Sequence, residues 1–166
     1  MNKSIVLRVG DDIDTDVIIP AQYCVSSDPA FLGKHILEGL SRDFPQKIQP
    51  GRTVLVAGKN FGCGSSREQA PLAIKGAGVV AVIACSFARI FYRNAINIGL
   101  PILVSPEASA DLQDGEEITI DYYAGSIINL SRSTKYSFAP FPPFIQEIID
   151  SGGLVAYVRK KKNLLP

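Results

Sequence analysis

Apolar positions recur along the chain in two rhythms, and the change between them divides it. Ile5 to Val9 reads as a strand that ends at the polar turn Gly10-Asp11-Asp12. Asp14-Thr15-Asp16 then precedes the apolar run Val17-Ile18-Ile19 and Pro20, and Ala21 to Asp28 has the composition of an exposed loop. Pro29 is placed to open a short helix with Phe31, Leu32, Ile36 and Leu37 on one side. Arg52 to Ala57 is strongly β-like and follows the turn pair Pro50-Gly51. A glycine-rich turn comes next, and a helix is predicted over Ser66 to Ala77, punctuated by Gly76 and Gly78. Val79 to Ala84 is almost wholly apolar, as a strand covered on both faces should be. A second helix, Phe87 to Asn97, stops at Gly99, and Pro101 to Val104 returns to extended chain.

Strands alternating with helices imply parallel pairing through crossover connections. The last third changes pattern. Glu117 to Tyr122 and Ile127 to Leu130, separated by Tyr123-Ala124-Gly125-Ser126, read as a hairpin. Pro142 to Asp150 reads as a final helix closed by Gly152 and Gly153. The expectation is an α/β fold with a mixed central sheet or barrel flanked by helices, forming one domain over residues 1–166.

Composition narrows the function classes. An apolar fraction of 46 % and a charged fraction of 20 % are globular values and argue against disorder. With 17 basic and 16 acidic residues the net charge is +1, so no global field favours nucleic acid or an anionic membrane. The one dense basic run, Arg159-Lys160-Lys161-Lys162, reads as a solvated tail. No apolar stretch approaches the roughly 20 residues of a membrane span, and no signal-peptide pattern follows Met1, so a cytoplasmic protein is expected. Cys24, Cys63 and Cys85 are widely separated and read as small buried residues rather than disulfide partners. The single histidine, His35, cannot complete a zinc site alone, so no metal site is expected within this chain.

The segment with most chemistry is Gly58-Lys59-Asn60-Phe61-Gly62-Cys63-Gly64-Ser65-Ser66-Arg67-Glu68-Gln69-Ala70-Pro71. Glycines allow a tight turn and close approach of a ligand to the main chain. Free amides and the dipole at a helix start favour an anion. Arg67 adds a donor fork suited to a carboxylate, and Ser65 and Ser66 place hydroxyls in that positive field. A plain capped turn is the competing reading, because Ser65 followed by Glu68 also fits a capping box. Arg89 and Arg93, four apart on one helix face, read either as ligands of carboxylates at the sheet edge or as contacts to a partner or substrate. Asp14 and Asp16 read as turn-forming residues.

Three stretches together carry a resemblance. Residues Ser65-Ser66-Arg67-Glu68 are similar to the signature of the aconitase superfamily's swivelling domain. Residues Asp12 to Pro20, and Ser86-Phe87-Ala88-Arg89-Ile90-Phe91-Tyr92-Arg93-Asn94 onward to Pro101, resemble motifs of isopropylmalate dehydratase small subunits. The likeness runs from about residue 5 to 158, in family order.

The resemblance implies a swivelling β/β/α domain and a hydro-lyase acting on a small hydroxy-dicarboxylic acid, as in leucine biosynthesis. By it, Ser65 matches the catalytic base, and Ser66 and Arg67 match positions that hold substrate carboxylate. Tyr23, Cys24 and Val25 match the loop that meets the variable group of the substrate. An apolar Val25 suits an isopropyl group, whereas relatives acting on homoaconitate or citrate tend to carry arginine in that loop. A [4Fe-4S] cluster is implied on a separate large subunit, and Cys63 is a small residue of the turn, not a cluster ligand. One departure stands out: many relatives have histidine where this chain has Gln69. Alternative readings are a homoaconitase or methyl-substituted malate hydro-lyase subunit, or a non-catalytic carboxylate-binding module.

Overall fold

The computed structural model describes residues 2–162; the extreme ends of the predicted 1–166 domain lie outside the described residues. The strands are β1 (Ser4–Arg8), β2 (Thr53–Ala57), β3 (Ala81–Ala84), β4 (Ile102–Val104), β5 (Glu117–Asp121), β6 (Ser126–Asn129) and β7 (Thr134–Ser137). They form one mixed sheet in the order β4-β3-β2-β1-β5-β6-β7. The first four are parallel, with Val6 opposite Val54 and Leu55 opposite Val82, while β5 turns antiparallel to β1 and starts a meander.

The parallel strands alternate their side chains between two cores. Leu55, Ala57, Val82 and Ala84 face a large cluster with Ile18, Leu32, Ile74, Phe91 and Ile96 from the covering helices. Val54, Val56, Ala81 and Ile83 face the other side, where Ile118, Ile120, Ile127, Tyr136 and Phe138 of the meander meet them. Being buried on both faces, β2 and β3 contain no exposed position, which is why their sequences read as unbroken apolar runs.

The helices are α1 (Thr15–Ile18), α2 (Pro29–Gly33), α3 (Phe44–Lys47), α4 (Gln69–Gly76), α5 (Arg89–Asn97), α6 (Pro106–Asp111), α7 (Pro143–Asp150) and α8 (Leu154–Lys161). Lys75 near the end of α4 donates to Gly152 O at 2.9 Å and also to Ile98 O, joining the carboxyl ends of α5 and α7. Burial lowers the Lys75 ammonium from its ordinary value, and the two carbonyls meet its donors instead.

Several expectations need correction. The helix predicted from Ser66 begins at Gln69, because residues 58–68 are held by other loops. The run Arg159 to Lys162 is not a tail: α8 extends to Lys161, whose ammonium lies 3.4 Å from Glu147 of α7, and cations suit a helix carboxyl end. Strand β7 and helices α1, α3, α6 and α8 were not foreseen as elements. The three cysteines are free but half-buried rather than core residues. Arg89 and Arg93 are exposed and form no ion pair with described residues, so the sheet-edge reading fails.

Candidate functional site

Parallel strands deliver their carboxyl ends to one edge of the sheet, and the loops that leave them meet there. Three such loops build the site: residues 9–14 after β1, 58–68 after β2, and 85–88 after β3. Asp11 Oδ1 accepts from Lys59 N at 2.7 Å, and Asp12 Oδ1 accepts from Asn60 Nδ2 at 2.9 Å. Ser86 holds the same turn from the other side through Asn60 N at 2.9 Å (Oγ) and Phe61 N at 3.0 Å (O). The chain then runs beside Ile13 to Thr15, with Gly62 N donating to Ile13 O at 2.7 Å and Thr15 N to Cys63 O at 2.9 Å.

Phe61 anchors the turn in the core, fully buried and edge-on to Phe91 at 5.2 Å. Gly62 follows with φ 78°, and a Cβ there would stand 2.2 Å from Phe91 Cγ, so the anchor and the turn together require glycine. The next residues emerge: Gly64, Ser65 and Ser66 are exposed. Thr15 Oγ1 donates to Ser65 O at 3.0 Å, and Arg67 N donates to the same carbonyl at 2.8 Å, fixing the backbone of this exposed residue.

The capping box is absent. Glu68 occupies the cap position of α4 with no side-chain cap bond. The backbone amides of Ser65, Ser66, Glu68 and Gln69 donate to no acceptor among the described residues. Unpaired amides before and at the start of α4, with Arg67 next to them in the chain, are donors of the kind that bind an anion. Of the two readings open at this turn, anion binding is the one that these donors favour.

Arg67 is 24 % exposed and pairs through Nη1 with Asp16 of α1. Asp14 caps α1 by accepting from Val17 N at 2.7 Å, so α1 is itself fixed and carries Asp16 to the guanidinium. Asp14 thus has the turn-forming role expected of it, whereas Asp16 was missed as a partner of Arg67. The signal available for Asp16 was its charge alone, since 51 residues separate the pair. Asp16 occupies Nη1, and the remaining guanidinium donors meet no acceptor among the described residues.

Burial, then the charges of Asp14 and Asp12, push the Cys63 thiol above its ordinary value. Among the described residues, no group of three or more His, Cys, Asp or Glu could hold a metal ion. Gln69 lies half-buried at the first turn of α4 and makes no side-chain hydrogen bond to described residues.

Tyr23, Cys24 and Val25 lie just past α1 in and after a 3-10 turn over Ala21–Tyr23. No hydrogen bond joins them to residues 65–67 among the described residues. Val25 is 87 % exposed, so it packs against little in this chain. Cavities of 510 Å³, between α7 and α8, and 570 Å³, beside Lys75 and Ile98, lie away from the serines, which sit on an open shelf. A shelf of donors, unlike an enclosed pocket, needs a second surface to exclude water.

Comparison with known proteins agrees with this architecture. Residues 31–107, which include the whole site turn, match the family described as the aconitase C-terminal domain. The 3-isopropylmalate dehydratase small subunit of Moorella thermoacetica is 59 % identical over 152 residues, 92 % of this chain and 91 % of that one. The small subunit of Thermodesulfovibrio yellowstonii is 52 % identical, covering 98 % of this chain and 96 % of that one. This chain belongs to the 3-isopropylmalate dehydratase small-subunit family. A crystal structure of 3-isopropylmalate dehydratase from Methanocaldococcus jannaschii superposes with a TM-score of 0.91 at 43 % identity, covering 98 % of this chain and 95 % of that one. The small-subunit fold of that family is thus the mixed α/β architecture described above. No described helix is long and apolar enough to cross a membrane.

Proposed function

We propose that this chain is the substrate-clamping and proton-transferring half of a 3-isopropylmalate dehydratase, interconverting 2- and 3-isopropylmalate in leucine biosynthesis. It acts as a single swivelling domain against an iron–sulfur large subunit. The observation that carries the proposal is the exposed Ser65 hydroxyl beside four unpaired amides and the Arg67 guanidinium, at positions matching the family signature.

On this chain, the amides of residues 65–69 and the free donors of Arg67 hold one substrate carboxylate, with Ser66 beside it. Ser65 Oγ, as the alkoxide, takes the carbon-bound proton; the surrounding donors lower the cost of that charge. A [4Fe-4S] cluster would supply Lewis-acid chemistry at the substrate hydroxyl. This chain does not fit such a cluster, since its three half-buried cysteines form no metal-binding group among the described residues. The cluster is therefore assigned to the partner, whose docking also converts the open shelf into a closed site. Val25 meets the isopropyl group, and no cation there offers to pair a third carboxylate, which disfavours homoaconitate and citrate.

The test is Ser65→Ala in the reconstituted complex. Turnover should fall about a thousandfold, the scale of lost proton transfer, with assembly and isopropylmalate binding retained. Unchanged turnover would leave only a carboxylate-binding module. The chain assayed alone should bind weakly and turn over nothing.

A further inference from the structure

The segment Tyr23 to Ser26 is held quite differently from the serine turn. The Tyr23 ring lies flat on the imidazole of His35, with centroids 3.7 Å apart and planes within 8°. Phe31 meets both rings edge-on, 6.4 Å from Tyr23 and 5.2 Å from His35. Phe31 and His35 are four residues apart in and just after α2, which places them over one another. The imidazole is oriented in turn, its Nδ1 lying 2.9 Å from Glu38 Oε1. Burial acts to raise the Glu38 carboxyl, but the hydrogen bond from His35, with the charges of His35 and Arg42, outweighs it and holds it below its ordinary value.

Beyond Tyr23 the chain is tied on both sides of Val25: Cys24 N donates to Ala21 O at 3.0 Å, Ser26 N to Tyr23 O at 3.5 Å, and Ser26 Oγ accepts from Asp28 N at 3.0 Å. The exposed Val25 lies within this short span, two residues from the ring that the imidazole clasps.

We infer that His35 and Glu38 are positioning residues for substrate choice: the imidazole, oriented by the carboxylate, fixes Tyr23 and so aims Cys24 and Val25 at the variable group of the substrate. This rests on the proposed role of that segment. Histidine suits the task because a flat ring can stack while its edge nitrogen is steered by a hydrogen bond, which a phenyl ring does without and an aliphatic side chain cannot do at all.

The experiment uses the reconstituted complex with 2-isopropylmalate and with homoaconitate. His35→Ala should raise KM for isopropylmalate by about three- to tenfold, the reach of one aromatic pair, with kcat little changed. The preference for isopropylmalate over homoaconitate should shrink by a similar factor. His35→Phe keeps the stack and should restore most of both, and Glu38→Gln should fall between. His35→Leu fills the volume without a flat face; it should behave as the alanine variant and serves in its place if that variant does not fold. A merely structural residue would lower Tm without moving KM or the substrate ratio, and that result overturns the inference. Val25→Arg is measured alongside. A ratio moved by Val25→Arg but not by the His35 variants refutes the positioning role alone, whereas an unmoved ratio in Val25→Arg refutes the role of the segment.

Discussion

The two halves of the sheet reach order by opposite means. In the parallel half, β1 to β4, every loop at the carboxyl edge is fixed by another loop far away in sequence. In the antiparallel half, β5 to β7, the ties are closer in sequence. Arg132 in the β6–β7 turn bonds Glu116 just before β5 and Asp111 at the end of α6, and Asn129 joins Glu116 at 2.9 Å. The first arrangement spends backbone donors on shaping a turn, while the amides of Ser65, Ser66, Glu68 and Gln69 meet no acceptor among the described residues. The second ends at the edge strand β7 and fixes its turns through the bonds of Arg132, Glu116 and Asp111. The proposed site lies where the hydrogen bonding is incomplete.

The sharpest way to break this contrast is to place the same change in both halves. Gly62 and Gly115 share nearly the same backbone, φ 78° and 80°, but a Cβ at Gly62 meets Phe91 whereas one at Gly115 meets nothing within 4 Å. Gly62→Ala should cost about 2–4 kcal/mol, combining overpacking with backbone strain, and should abolish turnover in what remains folded. Gly115→Ala should cost about 1 kcal/mol and leave turnover per folded molecule intact. Urea midpoints of the isolated chain and kcat of the complex measure the two. Equal losses would mean that the site turn is no more constrained than an ordinary loop.

Arg67→Lys tests the clamp. It keeps the charge but loses the planar fork, so kcat/KM should fall about ten- to a hundredfold, mainly through KM. Arg132→Ala, in the other half, should lower Tm and leave both constants unchanged.

The smallest effect concerns acid. Hydrogen bonds from Tyr136 and Arg132 hold the Asp111 carboxyl below its ordinary value of 3.8, and Arg132 does the same for Glu116, ordinarily 4.5. Lowered carboxylates stabilise the fold above those ordinary values, and that contribution is lost as pH falls through the lowered ones. Unfolding followed from pH 6 downward should therefore show a loss beginning near 4.5 that is shallower in Arg132→Ala. An identical acid limb in both proteins would remove Arg132 from the account.

Much of the fold was legible because buried parallel strands must be apolar throughout. Val79 to Ala84 and Arg52 to Ala57 announce β3 and β2, and Pro142 to Asp150 announces α7 by its period. Strand β7, with Thr134, Lys135 and Ser137, carries one buried residue in four and so sends almost no signal. The start of α4 was misjudged for a related reason. Ser65 and Glu68 are correctly spaced for local capping, but bonds from Thr15, Asp11 and Ser86 decide the turn's shape, and none is visible in a window of local sequence. The candidate residues Ser65, Ser66 and Arg67 were legible as a motif; the unpaired amides, and Asp16 on the guanidinium, required the fold.

The lattice of ties around residues 58–68 also bears on the order of assembly during synthesis. Lys59 waits on Asp11 and Ser65 on Thr15, separations of 48 and 50 residues, but both partners precede it in the chain. Asn60 depends on Ser86, 26 residues later. A nascent polypeptide therefore cannot give the serine turn its final shape until β3 has left the ribosome and paired. Until then Ser65, the proposed base, lacks its final setting, so unfinished or truncated chains should be poor competitors for a large subunit.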